Sequence, residues 1–121
     1  MTASPGPRPA LAFLKKRSDF LALRSGARHS APAFLLIRRR RGGDDPTIRV
    51  GFTATKKLGP AVVRNRIRRR LREAARAIFP DHGEPGCDYV LIARIAAASR
   101  KYADLLDDLK RGLLSLARRS T

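Results

Sequence analysis

The 121 residues carry 27 Lys plus Arg against 10 Asp plus Glu, a net charge of +17 with a pI near 11.7. A chain this long supports one hydrophobic core and not two, and its charge calls for a polyanion, either nucleic acid or an anionic membrane. The apolar runs fall far short of the roughly 20 residues that span a bilayer, the N-terminus lacks a signal-peptide core, and one cysteine, Cys87, excludes an internal disulfide and fits a reducing, cytoplasmic setting.

Met1 to Pro9 holds three prolines and a glycine and has little apolar surface to bury. Residues 1–12 are therefore expected to be a disordered tail, and residues 13–119 a single folded domain. Lys15, Lys16 and Arg17 lead into a short helix capped by Ser18-Asp19, carrying Phe20, Leu21 and Leu23 and ended by Gly26. Phe34 to Ile37 reads as a strand, and Arg38 to Pro46 (RRRRGGDDP) as a flexible basic turn. Thr47 to Thr55 is a second strand, with Ile48, Val50, Phe52 and Ala54 on one face and Arg49, Thr53 and Thr55 on the other.

Gly59-Pro60 marks a helix start, because proline fits the first helical position, where its missing N–H has no partner anyway. Val63, Ile67, Leu71, Ala74, Ala75 and Ile78 then recur as one apolar stripe. Arg64 and Arg68 flank the stripe on one side and Arg66 and Arg70 on the other, while Arg69, Arg72 and Arg76 point outward. Pro80 to Gly86 is a breaker-rich loop, and Tyr89 to Ala93 an interior strand. Ser99 caps a last helix whose Tyr102, Leu105, Leu106, Leu109, Leu113 and Leu116 form the apolar face, with Asp107 and Arg111 as an i,i+4 pair. Helix, two strands, helix, strand, helix is the order of a two-layer α+β sandwich.

From Lys56 to Arg76 nine of 21 residues are Lys or Arg, and Glu73 is the one acid. Like charges three and four apart repel by a few tenths of a kcal/mol per pair. A merely solvated face would mix both signs. The segment is read as a phosphate-binding surface of Lys56, Lys57, Arg64, Asn65, Arg66, Arg68, Arg69, Arg70 and Arg72, because guanidinium forks match phosphate geometry and neutralisation releases counterions. No catalytic centre is legible. Asp81-His82-x-Glu84 sits in the expected loop without a supporting ligand group, Asp44-Asp45 reads as a turn pair, and His29 and Ser30 have no triad carboxylate. Walker and Rossmann glycine patterns are absent. Phe52 belongs to the core. Phe20 and Phe34 admit two readings, as core residues or as rings that stack bases beside basic side chains.

Arg64-Asn65-Arg66 followed by Ile67-Arg68-Arg69, with Lys56-Lys57-Leu58-Gly59 ahead of it, resembles the RNR signature of the bacterial ribonuclease P protein subunit. The order of flanking segments is similar from about Leu14 to Leu114; Pro60 departs from the Asn that the family more often carries there. The resemblance implies a mixed sheet of about four strands with a left-handed crossover around the basic helix, opposite to the general rule for parallel connections. The fourth strand is not legible; a short stretch within Thr47 to Lys57 is where it is expected. The resemblance further implies a cleft between the first helix and one sheet face that holds the single-stranded 5′ leader of precursor tRNA. Phe20 matches an aromatic position of that cleft, whereas Arg24 and Ile37 stand where the family has a second aromatic and a strand tyrosine. The expected cleft residues are Phe20, Phe34, Asn65, Arg68 and Arg72. The implied function is to assist a catalytic RNA subunit in removing the leader from precursor tRNA. Magnesium would be held mainly by that RNA and the substrate phosphates, with no obligatory protein partner and no membrane. The rival readings are a ribosomal or RNA-chaperone protein, and a small nuclease with its own metal site.

Overall fold

The computed structural model describes residues 9–119. Its centre is strand β5 (Cys87–Ala93), whose run CDYVLIA is buried along nearly its whole length, as a strand covered on both faces must be. It pairs in parallel with β4 (Ile48–Thr53) and antiparallel with β3 (Phe34–Arg40). A three-residue strand β1 (Leu11–Phe13) runs parallel to β4 at one edge, and β2 (Ala27–Ser30) antiparallel to β3 at the other, giving the order β1-β4-β5-β3-β2.

Alternation along the strands divides the apolar side chains between two faces. Phe34, Leu36, Ile48, Val50, Tyr89 and Leu91 form the main core with Ile67, Leu71, Ala74, Ala75 and Phe79 of helix α2 (Ala61–His82) and Leu105, Leu109, Leu113 and Leu116 of helix α3 (Tyr102–Ala117). The opposite face is covered thinly. There Ile37 and Val90 pack with Leu14 and Leu23, and Phe20, Leu35 and Ile92 are half-buried around them. Phe20 belongs to a short helix, α1 (Arg17–Ala22), laid across this face.

The α+β class and the two amphipathic helices are as the periodicity predicts, but several boundaries move. The sheet has five strands. The additional ones are β1 and β2; the stretch within Thr47 to Lys57, where a fourth strand was expected, supplies only β4 and the start of a 3-10 turn, Lys56–Leu58. Residues 1–8 of the expected tail lie outside the described residues. Residues 10–12 of it are built into the sheet, with the Ile48 N–H donating to the Ala10 carbonyl at 2.8 Å. Helix α1 begins at Arg17 after Lys16, so Ser18 and Asp19 lie inside it and cap nothing. The expected basic turn is shorter, because β3 runs on to Arg40. Arg38 is turned onto the helix face, 1% exposed, and donates to the Leu116 carbonyl and to Glu84 Oε1. The turn proper begins at Arg41 and reverses at Gly42 and Gly43, both at positive φ (78° and 83°), which glycine tolerates without strain. Helix α2 passes through Pro80 to His82. Proline there forfeits one bond, to the Arg76 carbonyl, while buried Phe79 edge-on to Tyr89, 4.8 Å between ring centroids, fastens the last turn to the sheet. Ser99 closes the 3-10 turn Ile95–Ala98 and is no helix cap, and Tyr102, expected on the apolar face, is 41% exposed.

Candidate nucleic-acid interface

Helix α2 lies on the sheet by the expected stripe, with Ile67, Leu71, Ala74 and Ala75 buried and Val63 and Ile78 half-buried. Pro60 is its N-cap, one residue ahead of the expected position, and its carbonyl accepts the N–H groups of Val63 and Arg64. Among the described residues, none of the α2 arginines forms an ion pair, and four carboxylates are engaged elsewhere: Glu84 by Arg38 and Arg40, Asp88 by Arg41 and Arg49, Asp107 by Arg111, and Asp108 by Arg100. Backbone carbonyls orient the helix arginines instead. Arg64 Nε donates to the Gly59 carbonyl at 3.1 Å and Arg68 Nη2 to the Ala54 carbonyl at 3.3 Å, which ties one flank to the turn after β4. On the other flank Arg66 Nε and Arg70 Nη1 both donate to the Ala98 carbonyl, at 3.0 and 3.1 Å, and Arg70 Nη2 to that of Arg100. A guanidinium has five N–H groups, so each keeps donors for a further acceptor.

Of the three arginines expected to point outward, only Arg69 stands clear. Arg72 and Arg76 fold over the ring of Phe13, their guanidinium carbons 5.9 and 5.3 Å from its centroid. Phe13 in turn lies 5.6 Å from Phe52. Phe13 was absent from the sequence-derived site, although the apolar run Leu11 to Leu14 carried the signal for a buried segment. Lys56, Lys57 and Asn65 are exposed as expected, and Asn65 Oδ1 accepts from Arg68 Nη1 at 3.5 Å.

The thinly covered sheet face forms a cleft. Phe20 packs against Gly51; a Cβ on residue 51 would stand 2.5 Å from Phe20 Cε1, so the ring occupies space that only glycine leaves. On one side of Phe20 a cavity of about 340 Å³ is lined by Arg17, Leu23, Arg24, Arg28, Ile37 and Ile92. On the other, a cavity of about 380 Å³ is lined by Lys15, Arg17, Phe52, Thr53, Ala54 and Arg68. Phe20 is thus the ring between two cationic hollows, the second of which reaches α2. Phe34 does not belong to this cleft. It is fully buried (0% exposed) on the opposite face of the sheet, under the helices, and has no ring face to offer a base. Phe52 packs half-buried against the main core, as the alternation of β4 predicts, and it also lines the second cavity beside Phe20.

The Ribonuclease P family model matches residues 9–117, which takes in every element of this interface. The chain belongs to the ribonuclease P protein family. It is 55% identical over 104 residues to the ribonuclease P protein component of Caulobacter vibrioides, spanning 86% of this chain and 70% of that one. It is 52% identical over 108 residues to that of Ruegeria pomeroyi, spanning 88% and 86%. The solved ribonuclease P protein of Staphylococcus aureus is similar at a TM-score of 0.70 and 27% identity, covering 88% of this chain and 94% of that structure. As a ribonuclease P protein, the chain is an RNA-binding part of a ribonucleoprotein that processes tRNA.

Several acidic residues of this ribonuclease P protein have structural partners. Glu84 accepts from Arg38 and Arg40, its backbone N–H donates to the Tyr89 hydroxyl at 3.0 Å, and Asp81 and His82 belong to the end of α2 and not to a loop. Asp45 Oδ1 accepts the Thr47 N–H at 2.9 Å, which holds its carboxyl below the usual range. Cys87 is buried against Glu84, and desolvation, then that hydrogen bond, push its thiol up to about 11, which makes it inert at neutral pH. Among the described residues no three His, Cys, Asp or Glu side chains converge as metal ligands would.

Proposed function

We propose that this chain is the subunit of ribonuclease P that binds the catalytic RNA through α2 and grips the 5′ leader of precursor tRNA in the cleft around Phe20. The observation that carries this reading is the carbonyl-braced set of arginines on α2 beside a cleft whose walls are cationic and whose centre is an aromatic ring. Bracing fixes the side chains before RNA arrives, so less rotamer freedom is lost on binding. Phosphates of the catalytic RNA meet Lys56, Lys57, Arg64, Arg66, Arg69 and Arg70, and the leader runs past Phe20 and Phe52 toward Asn65, Arg68 and Arg72. Phosphodiester hydrolysis with magnesium belongs to the RNA. Glu84 and Asp88 are already held by arginines, an arrangement that suits ion pairing better than a metal, and the magnesium would rest on RNA and substrate phosphates. The protein lowers the repulsion between two polyanions and discriminates by the leader. A cytoplasmic site of action fits this role.

Reconstitution with the cognate catalytic RNA tests the reading. The protein should raise precursor-tRNA cleavage at moderate magnesium and salt. A ribosomal or general chaperone protein would bind RNA without producing a correct 5′ end, and cleavage by the protein alone would return the chemistry to its side chains.

A further inference from the structure

A second cationic surface lies away from α2, beyond the cleft's first hollow, whose Arg24 and Ile37 adjoin its own Ser25 and Arg38 in the chain. A concavity of about 350 Å³ is lined by Arg38, Arg39, Arg40 and Arg119 with the backbone of Ser25, Gly26 and Ala27. Its floor is the buried Arg38, and Arg40 stitches its wall by donating to the Arg119 carbonyl at 3.3 Å and to Glu84 Oε2 at 3.3 Å. Arg39 and Arg119 project from the rim, exposed and outside any ion pair among the described residues. A basic side chain after the last turn of a helix offsets the helix dipole, which accounts for a charge at the end of α3. It does not account for Arg39, which is a strand residue.

Register places this concavity. Arg39 is opposite Asp88, and Asp88 is opposite Arg49 near the start of β4, whereas Arg68 is anchored to Ala54 just beyond the end of β4. Five residues along a strand and two strand spacings across put the two surfaces about 20 Å apart, at diagonal corners of the sheet. That is about twice the screening length at physiological salt, so the two act independently on charge.

We infer that Arg39 and Arg119 form a second RNA-backbone site, through which one copy of the chain holds an RNA segment separate from that on α2. The inference rests on the reading of the chain as an RNA-binding subunit and adds a second point of attachment. A short RNA hairpin of unrelated sequence, the catalytic RNA and precursor tRNA are each titrated against Arg39→Ala/Arg119→Ala, against Arg64→Ala/Arg69→Ala, and against the fourfold variant. Each arginine removed at a phosphate flattens the slope of log affinity on log salt by about 0.7 to 0.9, and the losses of the two pairs should add. The RNA that shows the loss identifies which segment the site takes. Arg39→Glu/Arg119→Glu should weaken binding further, and the alanine pair should leave the thermal melt within a few degrees of the parent, since both side chains lie at the surface. An unchanged slope for all three RNAs, or a fourfold variant no worse than the α2 pair, overturns the second site. Cleavage that fails to rise on reconstitution while the slopes behave as expected counts instead against the ribonuclease P reading.

Discussion

Asp88 is a buried carboxylate, 1% exposed, in a strongly cationic chain. Arg49 grips it with two hydrogen bonds, Nε to Oδ1 at 2.8 Å and Nη2 to Oδ2 at 2.7 Å, and Arg41 adds a third at 2.7 Å. Desolvation pushes the Asp88 carboxyl up, but the hydrogen bonds from Arg49 and Arg41 and their charges outweigh it and hold the group below its ordinary value. A folded value below the unfolded one means the stabilisation is complete at neutral pH and is lost as pH falls through the folded value. Melting temperature should therefore hold down to about pH 4, the unfolded carboxylate range, and drop below it. Asp88→Asn should lose about 3 kcal/mol at pH 7 and show a flatter acid limb, both read from melts across pH; this is the lower end for a broken buried pair, since Arg49 stays in reach of water. Gly51 offers a second test at this scale. Gly51→Ala forces the Phe20 ring off the sheet while leaving the core on the other face untouched, so it should reproduce the substrate defect of Phe20→Ala with a melt within a few degrees of the parent. If precursor tRNA binds Gly51→Ala as before, Phe20 does not grip from this position.

Among elements, α2 separates charge that binds from charge that braces. Arg69 is exposed and outside the ion pairs and hydrogen bonds among the described residues, so Arg69→Ala should flatten the salt slope for RNA by about 0.7 to 0.9 without moving the melting temperature. Arg70 clamps the Ala98 and Arg100 carbonyls, so Arg70→Ala should also cost about 1–2 kcal/mol of stability. Equal melts for the two variants would mean that the braces carry no energy. The stripe of α2 and the leucines of α3 were legible because a period near 3.6 persists over many residues. Strand β1 was not, because its pairing with Ile48 to Val50 depends on a segment far away in sequence. Strand β2, Ala27-Arg28-His29-Ser30, shows half-buried and exposed positions in alternation, but its side chains carry too little apolar contrast to mark it. The end of β3 was misread for a related reason. Four arginines look like a turn, yet Arg38 is drawn inward by the Leu116 carbonyl and Glu84, neither of which a local window contains. For the site, the basic helix stood out in composition. Phe34 and Phe52 share the helix face of the sheet, and only the placement of the covering helices shows that the first is fully buried while the second is left half-buried beside the cleft.

For the whole molecule, the cleft sets substrate choice. The holoenzyme should hold precursor tRNA more tightly than mature tRNA, and Phe20→Ala should weaken precursor binding by roughly five- to a hundredfold, as stacking is worth about 1–3 kcal/mol per base. Mature tRNA should bind as before; equal losses for both would show that the cleft does not read the leader. The sheet order has its own bearing on how the chain comes to be folded. Strand β5 is the last to be synthesised, yet it lies between β3 and β4 and is the partner of both. Until residue 93 has emerged, those two strands face a gap, and the long connection through α2 must close before either is satisfied. A fragment ending before Cys87 should therefore show no cooperative melt. During translation the arginines of α2 leave the ribosome ahead of the strand that seats their helix, so the binding surface is withheld until the domain is nearly complete.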